Sequence, residues 1–264
     1  MILPLKYEQI SSLTPIALEQ SYIFYGNVHL RPERSVFAAD VGDGEVRAVG
    51  AYLQGMPFHA FSLQLLAAEG EYDATDMLNY FRQQPSVDMP EGQTGVFGLP
   101  QAAFERVKIP GIRAQRTLQL MKLVAPDRLL APGGSRLLAP SEGQLAVALA
   151  GQVGMISFRA EEVEEMPHIA LFSEQDEPMA LAGFHVYDDA FVEIGNIGTS
   201  EKHRKKGLGT QIASDISRMG LEKSPNVYLM VFADNPAAIR VYEKLGYETV
   251  SRYAFIEFEF EFAW

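Results

Sequence analysis

Three observations predict an α/β (α+β) fold in two halves. Short β-prone runs alternate with helical ones, and the order of elements in the first half recurs in the second. A stretch rich in Pro and Gly, Pro126 to Pro140, lacks sustained periodicity and lies between them, so the domain boundary is placed there, giving domains 1–127 and 128–264.

In the first half, Val36 to Asp40 and Val46 to Leu53 flank Gly42-Asp43-Gly44, residues that tolerate positive φ, which predicts a β-hairpin. A strand from Phe58 to Leu66 comes next. Asp76 to Gln84 carries Met77, Leu78 and Phe81 at helical spacing before Pro85, so a helix ends there. A strand over Thr94 to Leu99, a helix over Gln101 to Lys108 and a long strand over Ala114 to Val124 complete the half. In the second half, Ser141-Glu142-Gly143-Gln144 has the pattern of a capping box, so a helix is predicted from about Ser141. His168 to Ser173 and Met179 to Tyr187 read as a hairpin and Phe191 to Thr199 as the next strand. Gly207 to Glu222 is an amphipathic helix with Leu208, Ile212, Ile216 and Met219 on one face. A strand over Asn226 to Phe232 is followed by Asn235-Pro236, a cap and a first-turn proline, and a helix that stops at Gly246. Two further strands are expected, the second alternating Ile256, Phe258, Phe260 and Phe262 with Glu257, Glu259 and Glu261.

With 22 Lys+Arg against 34 Asp+Glu, the 264-residue chain carries a formal charge of −12, which disfavours nucleic acid and anionic membrane surfaces as partners. No run approaches the ~18 apolar residues of a membrane span. Cysteine is absent, so disulfides, thiolate metal sites and a cysteine nucleophile are excluded. His29, His59, His168, His185 and His203 show no metal-ligand spacing, and they are read as structural or surface residues, with no metal expected. A cytoplasmic location is the expectation.

The run from Ile197 to Gln211 joins a strand to a helix through a turn bearing Gly207 and Gly209, with Lys202 to Lys206 all basic or able to become so. The first amides of a helix lack intrahelical acceptors and sit at the positive end of its dipole. Glycines there permit close approach, so the segment suits a pyrophosphate. The spacing is neither that of a P-loop nor that of a dinucleotide fingerprint, whose third Gly would fall at Ile212.

Arg204-Lys205-Lys206-Gly207-Leu208-Gly209 resembles the Arg/Gln-x-x-Gly-x-Gly/Ala signature of the GNAT acyltransferase superfamily. Asn235 to Tyr247 is similar to the family's Asn-x-x-Ala-x-x-x-Tyr-x-x-x-Gly-Phe segment, with Tyr247 in place of Phe and Glu201 in place of a Pro ahead of the signature. The resemblance covers about Ser141 to the C-terminus. It implies two GNAT-like domains, each a mixed, mostly antiparallel sheet flanked by helices, the first a degenerate copy whose acidic segment between Leu66 and Met77 would repel a pyrophosphate. It implies acetyl-CoA as cosubstrate, bound by Ile197, Gly198, Thr199, Arg204, Lys205, Lys206, Gly207, Leu208, Gly209, Thr210 and Asn235. Tyr242 is implied as the acid that protonates the thiolate, Glu193 as the base, directly or through water, and a small-molecule amine or a peptide as acceptor. Without the resemblance the glycine turn is a plain connection, Asn235 a helix cap, Tyr242 a core tyrosine and Glu193 a solvated strand carboxylate. A non-catalytic acyl-CoA sensor is the alternative function.

Overall fold

In the computed structural model, which describes residues 1–13, 16–56, 58–87, 94–155 and 158–260, contacts divide the chain into two units, Met1–Gln119 with Ser251–Trp264, and Leu120–Val250. The first unit begins with β1 (Ile2–Leu5), α1 (Tyr7–Leu13) and α2 (Tyr22–His29), elements for which the sequence reading offers no prediction. There follow β2 (Ser35–Gly42), β3 (Glu45–Leu53), β4 (His59–Leu65), β5 (Tyr72–Asp73), α3 (Thr75–Arg82), β6 (Thr94–Pro100), α4 (Gln101–Phe104), β7 (Val107–Lys108) and β8 (Ile112–Leu123). The hairpin turn is as expected, with Asp43 and Gly44 at φ 54° and 81°. The helix expected over Gln101 to Lys108 lasts only four residues, because Val107 and Lys108 pair instead with Tyr72 and Asp73.

The second unit takes up the end of β8 and continues with β9 (Arg136–Leu137), α5 (Gly143–Gln152), α6 (Glu162–Glu165), β10 (His168–Phe172), β11 (Pro178–Tyr187), β12 (Val192–Thr199), α7 (Leu208–Leu221), β13 (Val227–Phe232), α8 (Pro236–Lys244) and β14 (Tyr247–Glu259). In place of the two last strands expected there is one, and it is shared: residues from Ser251 onward belong to the first unit, where Tyr253–Glu259 pairs antiparallel with β6. Glu261 and Phe262, the end of the expected alternation, lie outside the described residues.

Both units repeat one plan. β2-β3-β4 and β10-β11-β12 are antiparallel runs, and each leads through a helix, α3 or α7, to a parallel neighbour, β6 or β13. A parallel partner requires such a crossover. The core of the first unit gathers Phe61, Phe81, Phe97, Ile256 and Phe258, and that of the second Val192, Ile194, Ile212, Ile216, Val227 and Tyr247.

These units depart from the 1–127 and 128–264 division. Pro126 to Pro140 has the composition of a linker but docks along α7. Leu129 and Leu138 are buried, the Leu130 amide donates to Ser214 Oγ at 2.8 Å, and the Gly133 amide donates to Asp215 Oδ1 at 3.1 Å. The helix expected from Ser141 starts two residues later. Glu142 rather than Ser141 does the capping: its carboxylate accepts from the Ala139 amide at 2.8 Å and pairs with Arg136 at 2.7 Å. That guanidinium, the largest cause, and the Ala139 amide hold the carboxyl down at about 2.

Tyr247, the departure from the expected Phe, is fully buried and shares a hydrogen bond of 2.7 Å with Ser217 Oγ. Ser217→Ala strands that hydroxyl in the core, so a loss of about 1–3 kcal/mol in urea-measured stability is expected.

Candidate active site

The segment between β12 and α7 is built to expose backbone amides. After Thr199 the chain makes one 3-10 turn, Glu201–His203, fastened by a 2.8 Å hydrogen bond between the buried Ser200 Oγ and His203 Nδ1. Lys205 and Gly207 then take left-handed φ values of 62° and 81°. Gly207 stands at the N-cap of α7 and offers it no side-chain acceptor. The first helical bond is donated by the Gln211 amide to the Gly207 carbonyl, at 3.0 Å, so the amides of Leu208, Gly209 and Thr210 have no intrahelical acceptor. Lys202 is engaged by Glu177 and His203 by Ser200. Arg204, Lys205 and Lys206, all exposed, are the cations adjoining those amides. The Arg204 guanidinium lies 3.3 Å from the Glu201 carboxylate.

The second feature is a splay. β12 and β13 pair in parallel at Val192–Val227 and Glu193–Tyr228, and among the described residues the pairing stops there although the strands run on to Thr199 and Phe232. The other edge of β12 remains joined to β11 as far as Thr199–Ala180. Between Gly195 and Gly198 the register slips, with Asn196 at φ 51°, which is a bulge. The bulge breaks the alternation of side chains along the strand, since Ile197 packs on the same core as Val192 and Ile194. Thr199 Oγ1 is buried without a hydrogen-bond partner among the described residues, and a Cβ at Gly209 would come within 3.3 Å of it.

Asn235 caps α8, its Oδ1 accepting from the Ala238 amide at 3.2 Å. Tyr242 on α8 belongs to the same core as Ile212 and Ile194, with its ring 6.0 Å from that of Tyr247. Burial pushes its hydroxyl up to about 12, so it stays protonated at neutral pH. Glu193 lies between Val192 and Ile194 on the strand and therefore faces away from that core. Thus the glycine turn, the end of β12 and Tyr242 share the α7 side of the strand, whereas Glu193 occupies its other side.

There Glu193 has company that sequence reading missed. Its Oε1 is 3.2 Å from Nδ1 of His185, whose Nε2 is 3.2 Å from Asn196 Oδ1. Asn196 Nδ2 in turn lies 3.2 Å from Glu162 Oε2 and 3.3 Å from Nε2 of the buried His168. By sequence alone both histidines count as structural or surface residues. No spacing along the chain signals these contacts, because they run across three strands and through a bulge.

Residues 171–256, which hold both sequence motifs and Glu193, match the family model described as FR47-like protein. The segment that carries both motifs is thus similar to the FR47-like family. Over 85 residues it is 38% identical to a mycothiol acetyltransferase of Corynebacterium efficiens, a match covering 29% of this chain and 27% of that protein. The chain thus spans about a quarter of the length of that curated relative. A GNAT-family protein from Novosphingobium aromaticivorans shares the fold at a TM-score of 0.66 and 15% identity, over 94% of this chain and all of the other. A tandem GNAT protein of the clavulanic acid biosynthesis pathway does so at 0.62 and 14%, over 100% and 99%.

The first unit repeats the strand plan of the second but not its basic turn. Where a basic turn precedes α7, an acidic one precedes α3, and Asp40, Glu69, Glu71, Asp73 and Asp76 line a cavity of about 360 Å³ there. Among the described residues no helix is long and apolar enough to cross a membrane, and no group of three or more His, Cys, Asp or Glu is placed to hold a metal.

Proposed function

We propose that the second unit binds acetyl-CoA and transfers its acetyl group to a primary amine by direct attack, and that the first unit is a degenerate copy. One observation carries the reading: the pairing of β12 with β13 ends at Glu193 and the strand then leads to a helix start with three bare amides.

The residues fit the cosubstrate. Amides of Leu208, Gly209 and Thr210 with the cations of Arg204, Lys205 and Lys206 suit a pyrophosphate. The β12 edge at Ile197, Gly198 and Thr199, beyond its last pair with β13, suits the amides of a pantetheine arm, and Thr199 Oγ1 lacks the partner that such an arm would bring. Asn235 is occupied as a cap and adds only its place at the start of α8. When bound, acetyl-CoA supplies an acyl thioester that an uncharged amine can attack.

A primary alkylamine has a reference pKa of about 10.4 and arrives protonated. Glu193, on the acceptor side of β12, takes up that proton directly or through water. On the other side the Tyr242 hydroxyl would donate a hydrogen bond to the departing sulfur. At about 12 it is a weaker acid than an ordinary thiol, near 8.5. Complete transfer of its proton is therefore uphill, and its contribution is a hydrogen bond that strengthens as the sulfur gains charge.

Calorimetry of the whole chain with acetyl-CoA, followed by thiol release across a panel of small amines and amine-bearing peptides, tests the proposal. A folded protein that fails to bind acetyl-CoA overturns it. Arg204→Ala should weaken acetyl-CoA binding several-fold, more at low salt than at high, because the substitution removes an exposed charge–charge attraction. Equal weakening at both ionic strengths would count against a pyrophosphate contact.

A further inference from the structure

The contacts around Glu193 determine where the protons lie. The Met166 carbonyl oxygen, which can only accept, is 2.9 Å from His168 Nδ1, so that nitrogen carries a hydrogen. His168 is 1% exposed, and its burial favours the neutral ring, leaving Nε2 as an acceptor. Asn196 then faces two acceptors, His168 Nε2 and Glu162 Oε2, and must turn its amide Nδ2 towards both. Its Oδ1 is thereby turned to His185 Nε2, which must donate. What remains is His185 Nδ1 against Glu193 Oε1 at 3.2 Å. A neutral imidazole with its hydrogen on Nε2 would set a lone pair against a carboxylate, so one more proton has to sit between them.

We propose that His185 and Glu193 form a single proton-holding pair, oriented by Asn196 and His168, and that acetyl transfer proceeds from the form in which the pair has released this proton. The proposal rests on the acetyl-transfer reading above and assigns His185 as a positioning residue for the base. Imidazole is the stronger base of the two in water, with reference values of about 6.5 against 4.3, so the held form is imidazolium with carboxylate. Of the titratable groups on this network, Glu193 on β12 meets His185 directly, and Glu162 on α6 and His168 on β10 are joined to it through Asn196. The adjoining Glu193 carboxylate favours its cation.

The step balances. The pair without its proton takes one from the ammonium of the acceptor, giving the free amine and the held form. The amine forms the new C–N bond as the C–S bond breaks, the second amine proton goes to the thiolate, and the pair returns its proton to water. Since the pair must be empty before it can accept, kcat/KM rises with pH through the imidazole range. A lone glutamate base would place that limb in the carboxylate range, near about 4.

The test is ¹⁵N NMR of the histidine rings in the unliganded full-length protein between pH 5 and 9, with the pH dependence of kcat/KM measured beside it. The expected result is His168 neutral throughout and His185 with both ring nitrogens protonated at pH 6.5, its midpoint above the ordinary value of about 6.5. In Glu193→Gln the His185 midpoint falls by a unit or more, and in His185→Gln the acid limb of kcat/KM moves towards the carboxylate range. Circular dichroism establishes folding of both variants, and Glu193→Asp, which retains the charge, should keep the raised midpoint. A His185 midpoint at or below 6.5 in the wild-type protein, or one unmoved by Glu193→Gln, overturns the pair, as does a wild-type acid limb already near pH 4. Absence of acetyl transfer to every amine, with the NMR result as expected, overturns the acetyl-transfer reading and not the shared proton.

Discussion

Tyr242→Phe is expected to slow amine acetylation by about 100- to 1,000-fold, the range for losing one hydrogen-bond donor to developing charge, while acetyl-CoA affinity and thermal stability stay close to wild type. The substitution keeps the ring, which packs among Ile212, Leu245 and Tyr247, and removes only the hydroxyl. Because burial pushes that hydroxyl up to about 12, it remains a donor across the working range, and its loss should lower kcat by a similar factor at pH 7 and pH 9. Full activity in the variant would make Tyr242 a core residue alone. A wild-type protein that binds acetyl-CoA with no turnover on any amine would instead favour a sensor.

Gly207→Val should have the second-largest effect, a loss of at least about tenfold in acetyl-CoA affinity. At φ 81° a β-branched residue is strained, at roughly 1–3 kcal/mol. Its methyl groups would also stand at the opening beside the three bare amides. Gly44 is the natural control: it has the same φ of 81°, and a Cβ there likewise meets nothing within 4 Å. Gly44→Val should therefore show the strain as lower thermal stability but bind acetyl-CoA normally. Equal affinity in Gly207→Val and Gly44→Val would show that the turn before α7 is only a connection. Gly209 lies inside the first turn of α7 rather than at positive φ, so replacing it with Val tests crowding against Thr199 Oγ1, not strain.

The elements legible in the sequence were those whose signals are local. The Gly42-Asp43-Gly44 hairpin, the Asn235-Pro236 start of α8, the Gly246 stop and the glycine turn ahead of α7 each announce themselves within a few residues, and the structure has them all. What escaped was decided at a distance. β7 cuts α4 short by pairing with residues 35 positions earlier in the chain. The Pro- and Gly-rich segment reads as a linker until Ser214 and Asp215 are seen to hold it. In the site, the glycines and basic residues of the turn could be read directly, whereas the partnership of Glu193 with His185 could not. It depends on a bulge at Asn196 and on a register slip that leaves His185 outside the ladder pairing of β11 with β12, and neither leaves a mark in the order of residue types.

The division of β14 bears on how the protein is made. Every residue of the second unit, from Leu120 to Val250, is consecutive, so all of its internal partners are present once Val250 has left the ribosome. The first unit is still incomplete at that point, although it is synthesised earlier, because its core needs Ala254, Ile256 and Phe258 from the last strand. During translation the exposed edge of β6 waits for about 150 further residues, long enough for an unpaired strand to recruit the wrong partner. Translation that stalls just after Val250 should therefore release chains with a completed glycine turn and an open first sheet, prone to aggregate through an edge that the finished protein covers.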